Sequence, residues 1–260
     1  MAFKFCDSMI NSYFSSGYIV FRGIVPPSLL HDLRIQADKA RQLAHKIHGP
    51  LAQRIQPLSN YADELDLTPF QNYNELPELK NACERLLGAG YSHGHLDIMG
   101  LLVEPLNRPA NCGWHRDAIV EMPLAGRSDS FQERLAKVWH DPHCFNQINC
   151  PIYTDSCTWF VPGSHLRQRD LSGEKESNGV VLQAQTSHLS NTEAELFLLE
   201  HCRQFPGAVQ MNLGPGDFLL YRNLAWHLGN YVPYQPRATI HDVILHENDV
   251  SWLDGWAPQD

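Results

Sequence analysis

The chain has 260 residues, 43% hydrophobic and 19% charged, which suits one globular domain with a full core. A formal net charge of −9 argues against a nucleic-acid partner, because binders of a phosphate backbone carry a basic face. No run of about 18 apolar residues is present, and the opening MAFKFCDSMINSYF lacks the features of a signal peptide, so no membrane partner and a cytoplasmic location are expected. The seven cysteines (Cys6, Cys83, Cys112, Cys144, Cys150, Cys157 and Cys202) are odd in number, scattered and without a C-x-x-C, which fits reduced thiols.

In chain order, residues 8–16 read as a short helix, and the glycine-bounded apolar run 17–23 as a strand. Pro26 and Pro27 open a helix that carries Leu29, Leu30, Leu33, Ala37, Ala40 and Leu43 at helical spacing to about residue 48. Residues 49–80 are polar and proline-punctuated and read as irregular, with room for a strand and for a pocket wall. A short helix is expected over 79–87, ended by Gly88 and Gly90. A long extended run is expected over 95–104, then a loop through Gly113, and a helical insertion over 128–139. Strands follow at 145–153 and 158–161, with a turn at 162–165 and a polar, mobile loop at 172–190. The remaining expectations are a helix at 192–202 and strands at 209–213, 217–221 and 237–245. Short strands at turn-marked intervals after a helical start indicate a barrel or jelly roll with helices against one face.

The chemistry centres on GWHRD at 113–117. On an extended strand residues i and i+2 share a face, so His115 and Asp117 can aim at one point while Arg116 turns away. His227, in GPGDFLLYRNLAWHLGN (214–230), is the candidate third ligand. Two histidines and one carboxylate on one face of a metal, with the other positions open, is the donor set of non-haem Fe(II) oxygenases. A second His-x-Asp, His95 and Asp97, sits where the long strand should begin and is read as an ordinary strand-start pair. A structural zinc site would close its fourth position, commonly with cysteine. Cys112 stands near His115 but in the preceding loop. His140, His143 and Cys144 read as surface loop residues.

The order of these features resembles the phytanoyl-CoA dioxygenase family of Fe(II)/2-oxoglutarate oxygenases over roughly residues 8–245. The carrying pieces are GYIVFRGIVPPSLLHDLR, WHRD, VPGSH and GPGDFLLYRNLAWHLGN…PRATIHDVI. The resemblance implies a mainly β (α+β) double-stranded β-helix, a cupin-like jelly roll with supporting N-terminal helices, forming one domain over 1–260. It implies iron held at one mouth by His115, Asp117 and His227, with 2-oxoglutarate and O2 as co-substrates. Arg237 stands where the family places an arginine for the distal carboxylate of 2-oxoglutarate, and a guanidinium can grip it with two parallel bonds. Thr239 shares its strand face and could add a hydroxyl. Gln147 is placed against 2-oxoglutarate, and by alternation Asn149 shares its face. The turn at 162–165 is read as structural, and Trp114 and Trp226 as packing beside the ligands. The implied activity is hydroxylation of an unactivated C–H of a small-molecule substrate, with release of succinate and CO2. Two alternatives stand beside it: desaturation, epimerisation or cyclisation on the same scaffold, and a non-catalytic jelly-roll binding protein. Substrate contacts are expected from 49–80, 119–143 and 172–190.

Overall fold

Two antiparallel sheets face each other in the computed structural model, which describes residues 3–92, 95–117, 139, 143 and 146–246. The first helix, α1 (Ser8–Ser16), stops because Gly17 turns left-handed at φ 80° and donates its N–H to the Tyr13 carbonyl. The chain then enters β1 (Tyr18–Phe21). The long helix α2 (Pro27–His48) begins on a proline, whose missing N–H costs nothing in a first turn. It buries Leu30, Leu33, Ala37, Ala40 and Ala44, while Leu29 and Leu43 are only partly covered. This stripe packs on the outer face of the larger sheet, together with Phe70, Tyr73, Leu79, Leu101, Ile148 and Ile240. Each fully buried leucine there contributes about 1.5–3 kcal/mol.

The larger sheet runs β1, β9 (Phe218–Arg222), β6 (Asn146–Pro151), β11 (Ala238–His246), β4 (Gly100–Val103) and β2 (Arg54–Ile55), with β3 (Tyr91–Ser92) paired to the far end of β11. The smaller sheet runs β5 (Ala110–Asn111), β10 (His227–Tyr231), β7 (Thr158–Phe160) and β8 (Val209–Gln210). Register sorts the side chains by face. Tyr221 opposes Gln147, His241 opposes Asn149, and Thr239 opposes Leu102. Period-2 alternation turns these residues inward, away from the helix-covered core. They meet the smaller sheet directly: the Asn149 amide donates to Thr158 Oγ1 (3.0 Å), and the Phe160 ring contacts Tyr18 and Tyr221 edge-on. A jelly roll of this kind was expected.

Several expectations change. Residues 95–99 form a turn rather than the start of a strand: the N–H groups of Ile98 and Met99 both donate to the His95 carbonyl, and the ladder begins only at Gly100. His95 and Asp97 therefore lie on a turn. Residues 49–80 hold β2, a 3-10 turn (Leu58–Tyr61) and α3 (Thr68–Asn74), and α4 (Pro77–Leu87) starts on its own proline. The polar stretch 172–190 contains α5 (Gly179–Thr186), because the Asn178 side chain accepts from Val180 and Val181 N–H and nucleates a helix in a region rich in loop formers. A Ser190–Glu193 capping box then starts α6 (Asn191–Arg203). All of the expected insertion helix at 128–139 except its last residue, most of segment 119–143, His140 and Cys144 lie outside the described residues. Among those residues no helix is long and apolar enough to cross a membrane.

Candidate active site

The three proposed ligands are brought together by main-chain pairing. Past β5 the chain runs through Gly113 and returns to β10: His115 N–H donates to the His227 carbonyl (3.1 Å), and His227 N–H to the His115 carbonyl (3.2 Å). Reciprocal bonds set the two residues directly opposite, so their side chains leave on one face with ring centroids 4.4 Å apart. Two residues on, Asp117 N–H bonds the Asn223 carbonyl (3.2 Å). Asp117 Oδ1 then lies 3.2 Å from His115 Nε2 and 3.5 Å from His227 Nε2. One ligand atom from each residue falls within 4.8 Å of the others, the only such cluster of three or more His, Cys, Asp or Glu among the described residues.

Backbone carbonyls fix both histidine tautomers. His115 Nδ1 faces the Gly113 carbonyl at 2.8 Å and His227 Nδ1 the Ala225 carbonyl at 2.9 Å. A carbonyl only accepts, so each Nδ1 carries hydrogen and each Nε2 turns its coordinating position toward Asp117. Burial disfavours the Asp117 carboxylate, yet His227 and His115 outweigh it and hold its carboxyl well below the usual range. Burial likewise opposes charge on His115, but Asp117 and Cys112 raise its pKa well above that of a free imidazole. The point on which both Nε2 atoms and the Asp117 carboxylate converge is the place a divalent cation would take. Asp117 Oδ2 is buried with no hydrogen-bond partner, so the donor chemistry of the cluster fits a cation. Cys112 does not close the set as a zinc ligand, because its sulfur accepts the Gly229 N–H at 2.9 Å and lies outside the cluster.

Arg116 turns away from the ligands, as alternation requires. Its Nη1 donates to the Leu224 and Ser164 carbonyls (2.7 and 3.0 Å), and its guanidinium lies 4.8 Å from the Trp226 ring centre. Ser164 Oγ accepts the Trp226 N–H and donates to the Val161 carbonyl. The 162–165 turn is thus a tie between the two ligand-bearing segments. Trp114 and Trp226 pack outward around Phe205, which Trp114 stacks on at 4.2 Å, beneath the C-terminal end of α6.

Deeper between the sheets lies Arg237, 2% exposed. Its Nε donates to Asp155 Oδ2 at 2.8 Å, its N–H bonds Glu104, its guanidinium lies 4.6 Å from the Tyr231 ring centre, and its Nη1 is buried without a partner. Thr239 Oγ1 also donates to Asp155 Oδ2, so its one hydroxyl hydrogen is directed there. Gln147 is buried, and its Oε1 accepts the Tyr221 hydroxyl at 2.8 Å, leaving the amide nitrogen as its donor. Arg222 on β9 faces the opposite side and influences Tyr13. Asp155 and Tyr231 were not singled out from sequence. The signal for Tyr231 was available, since residues 227, 229 and 231 of one strand share a face.

No family model and no curated protein matches this chain. Solved structures do. The non-haem alpha-ketoglutarate-dependent epimerase SnoN from nogalamycin biosynthesis aligns with TM-score 0.57 and 14% identity, over 92% of this chain and 80% of SnoN. The carbocyclase SnoK of the same pathway, also described as alpha-ketoglutarate-dependent, aligns at 0.54 and 14%, over 93% and 83%. EctD from S. alaskensis, with bound Fe, aligns at 0.55 and 15%, over 93% and 77%. The class these comparisons define is the jelly-roll fold that non-haem iron enzymes use. At such identities the likeness is one of fold, and the chemistry of this chain rests on its own residues.

Proposed function

We propose that this chain is an Fe(II)- and 2-oxoglutarate-dependent oxygenase of a small molecule, one catalytic domain related to the phytanoyl-CoA dioxygenases. The observation that carries the reading is the convergence of His115 Nε2, His227 Nε2 and an Asp117 oxygen at the mouth of the jelly roll. Bound iron would couple O2-driven decarboxylation of 2-oxoglutarate to oxidation of a substrate C–H bond. The chain supplies position: Gly113 and Ala225 carbonyls orient the rings, Arg237 Nη1 offers a buried donor to the distal carboxylate, and the Gln147 amide faces the same lumen. Anaerobic Fe(II) and 2-oxoglutarate should together produce a metal-to-ligand charge-transfer band. Its absence sinks the reading and leaves a binding protein.

Hydroxylation of an unactivated C–H in the cytoplasm is the outcome we assign. The epimerase SnoN and the carbocyclase SnoK favour a second outcome on the same scaffold. Product mass separates them. Hydroxylation adds an oxygen atom, cyclisation or desaturation removes two hydrogens, and epimerisation changes nothing. A screen of small molecules for stimulated succinate release supplies the substrate for that measurement.

A further inference from the structure

Arg54 belongs to β2, the edge strand of the larger sheet. Its neighbour Ile55 pairs with Leu101, and both are fully buried in the helix-covered core with Ile240. Adjacent strand residues take opposite faces, so Arg54 turns to the inner face, in register with Leu102 and, beyond it, Thr239. The two sheets run in the same order across the lumen. Asn149 of β6 bonds Thr158 of β7 at 3.0 Å, and Arg237, just before β11, lies 4.6 Å from the Tyr231 ring of β10. One step further, the edge formed by β4 and β2 lies over β5, the edge strand that leads into His115. His115 is also the open member of the cluster: its side chain is 23% exposed, against 3% for Asp117 and 7% for His227. Arg54 and the cluster both reach the His241 ring, which stands opposite Gly100 on the same inner face. Burial lowers the His241 pKa to about 3, and the charges acting on it are Arg54 first, then Asp117, Arg237 and His227.

Arg54 is exposed, and it makes no hydrogen bond or ion pair with any described residue. Arg237, deeper in the lumen, is held by Asp155. The rim of the mouth therefore carries a guanidinium whose donors are unspent. That planar fork matches a carboxylate with two parallel bonds. One cation balances one negative charge, whereas a phosphate monoester carries about −1.5 to −2. Building on the oxygenase reading above, we propose that the substrate is a small carboxylic acid and that Arg54 grips its carboxylate at the rim, leaving the rest of the molecule to extend toward the cluster of His115, Asp117 and His227.

The test screens small carboxylic acids, each beside its primary amide, for succinate release by Fe(II)-loaded protein saturated with 2-oxoglutarate. Acids should stimulate release and their amides should not. For the best acid, Arg54→Gln should raise KM about 10- to 100-fold, the scale of hydrogen bonds to a charged group. Arg54→Lys should lose less, since it keeps the charge without the fork. Arg54→Glu should shift preference from the acid toward the amine of the same skeleton, a gain that no unfolded variant could show. The anaerobic charge-transfer band should report 2-oxoglutarate affinity within about twofold of wild type in Arg54→Gln, because the co-substrate does not use this contact. Absence of any acid preferred over its amide overturns the assignment. So does an unchanged KM in Arg54→Gln, which would leave the arginine only guarding an edge strand. An equal loss of 2-oxoglutarate affinity also overturns it, because Arg54 would then serve the co-substrate. A wild-type protein that binds Fe(II) but gives no band with 2-oxoglutarate overturns the oxygenase reading itself, which keeps the two failures apart.

Discussion

Asp155 and Arg237 form an ion pair at 2.8 Å with both residues only 2% exposed, between the two sheets. Asp155 also takes the Cys157 N–H and the Thr239 hydroxyl, so its carboxylate is satisfied from three directions. Burial disfavours the charged form of each partner, and their mutual attraction outweighs it, lowering the Asp155 pKa and raising that of Arg237. The pair aligns the guanidinium, leaving the Nη edge to a ligand.

The first prediction concerns removal of one partner. Arg237→Ala leaves the Asp155 carboxylate buried and unpaired, a loss of about 3–5 kcal/mol. Part of it should return in Arg237→Ala/Asp155→Asn, where no charge remains. Chemical denaturation checks both, and equal stability of single and double variants would contradict it. In either variant 2-oxoglutarate should saturate far less readily, while Fe(II) affinity stays near wild type.

Main-chain bonds, not the side chains, place His115 opposite His227. His227→Ala and His115→Ala should therefore lose Fe(II) binding and all turnover while melting close to wild type. Metal titration and circular dichroism separate the two effects. Collapse of the fold in both variants would show that the rings, and not the bridge, hold the segments together.

Arg116 stands between His115 and Asp117 in the chain yet touches neither side chain. It braces Ser164 and Leu224 through their carbonyls while stacking on Trp226. Lysine is a point charge and cannot bond both carbonyls and lie flat on an indole. Arg116→Lys should cost about 1–3 kcal/mol, the scale of a buried acceptor left unmet. Fe(II) affinity should fall with it, because Asn223 and Leu224 support Asp117. A thermal melt and an iron titration measure the pair of effects.

The convergence of His115, Asp117 and His227 was legible from sequence because strand alternation is local: His115 and Asp117 are two apart, and the GPGDF…WHLGN run announced a turn and a following histidine. The α1 and α2 boundaries were legible for the same reason, through glycine and prolines. The start of β4 was not. The apolar run 95–104 looks extended, but two backbone bonds to the His95 carbonyl curl its first half. The partner of Arg237 was also hidden, since Asp155 lies 82 residues away and only sheet register brings it close. A hydroxyl on the correct strand face, Thr239, was visible; that its hydrogen points to Asp155 depends on three-dimensional contacts no spacing records.

The last prediction is a pH dependence of stability. His165 is packed under α1, where its Nε2 bonds the Phe14 carbonyl and its Nδ1 is buried with no partner, against Gly17. Burial lowers its pKa from 6.5 to about 4, and lowers that of His241, in the lumen, to about 3. Both are neutral in the folded chain and take up a proton in the unfolded chain below 6.5. The unfolded state then binds more protons, so stability falls as pH falls, by up to about 1.4 kcal/mol per pH unit for each histidine. His115 is raised instead, so its contribution is complete below 6.5 and is lost as pH climbs above that value; it adds no slope on the acid side. Asp117 and Asp155 are depressed from 3.8 and act only below about that pH. Between pH 6 and 4 the slope therefore belongs largely to His165 and His241, with a further contribution of the same sign from His201, whose pKa burial also lowers from 6.5. His165→Gln keeps an amide donor for the Phe14 carbonyl and cannot be protonated. Denaturant midpoints measured from pH 6 to 4 should show its slope cut by between about a third and a half relative to wild type, as one of three such groups is removed. An unchanged slope would mean that His165 opens to water and titrates as it does in the unfolded chain.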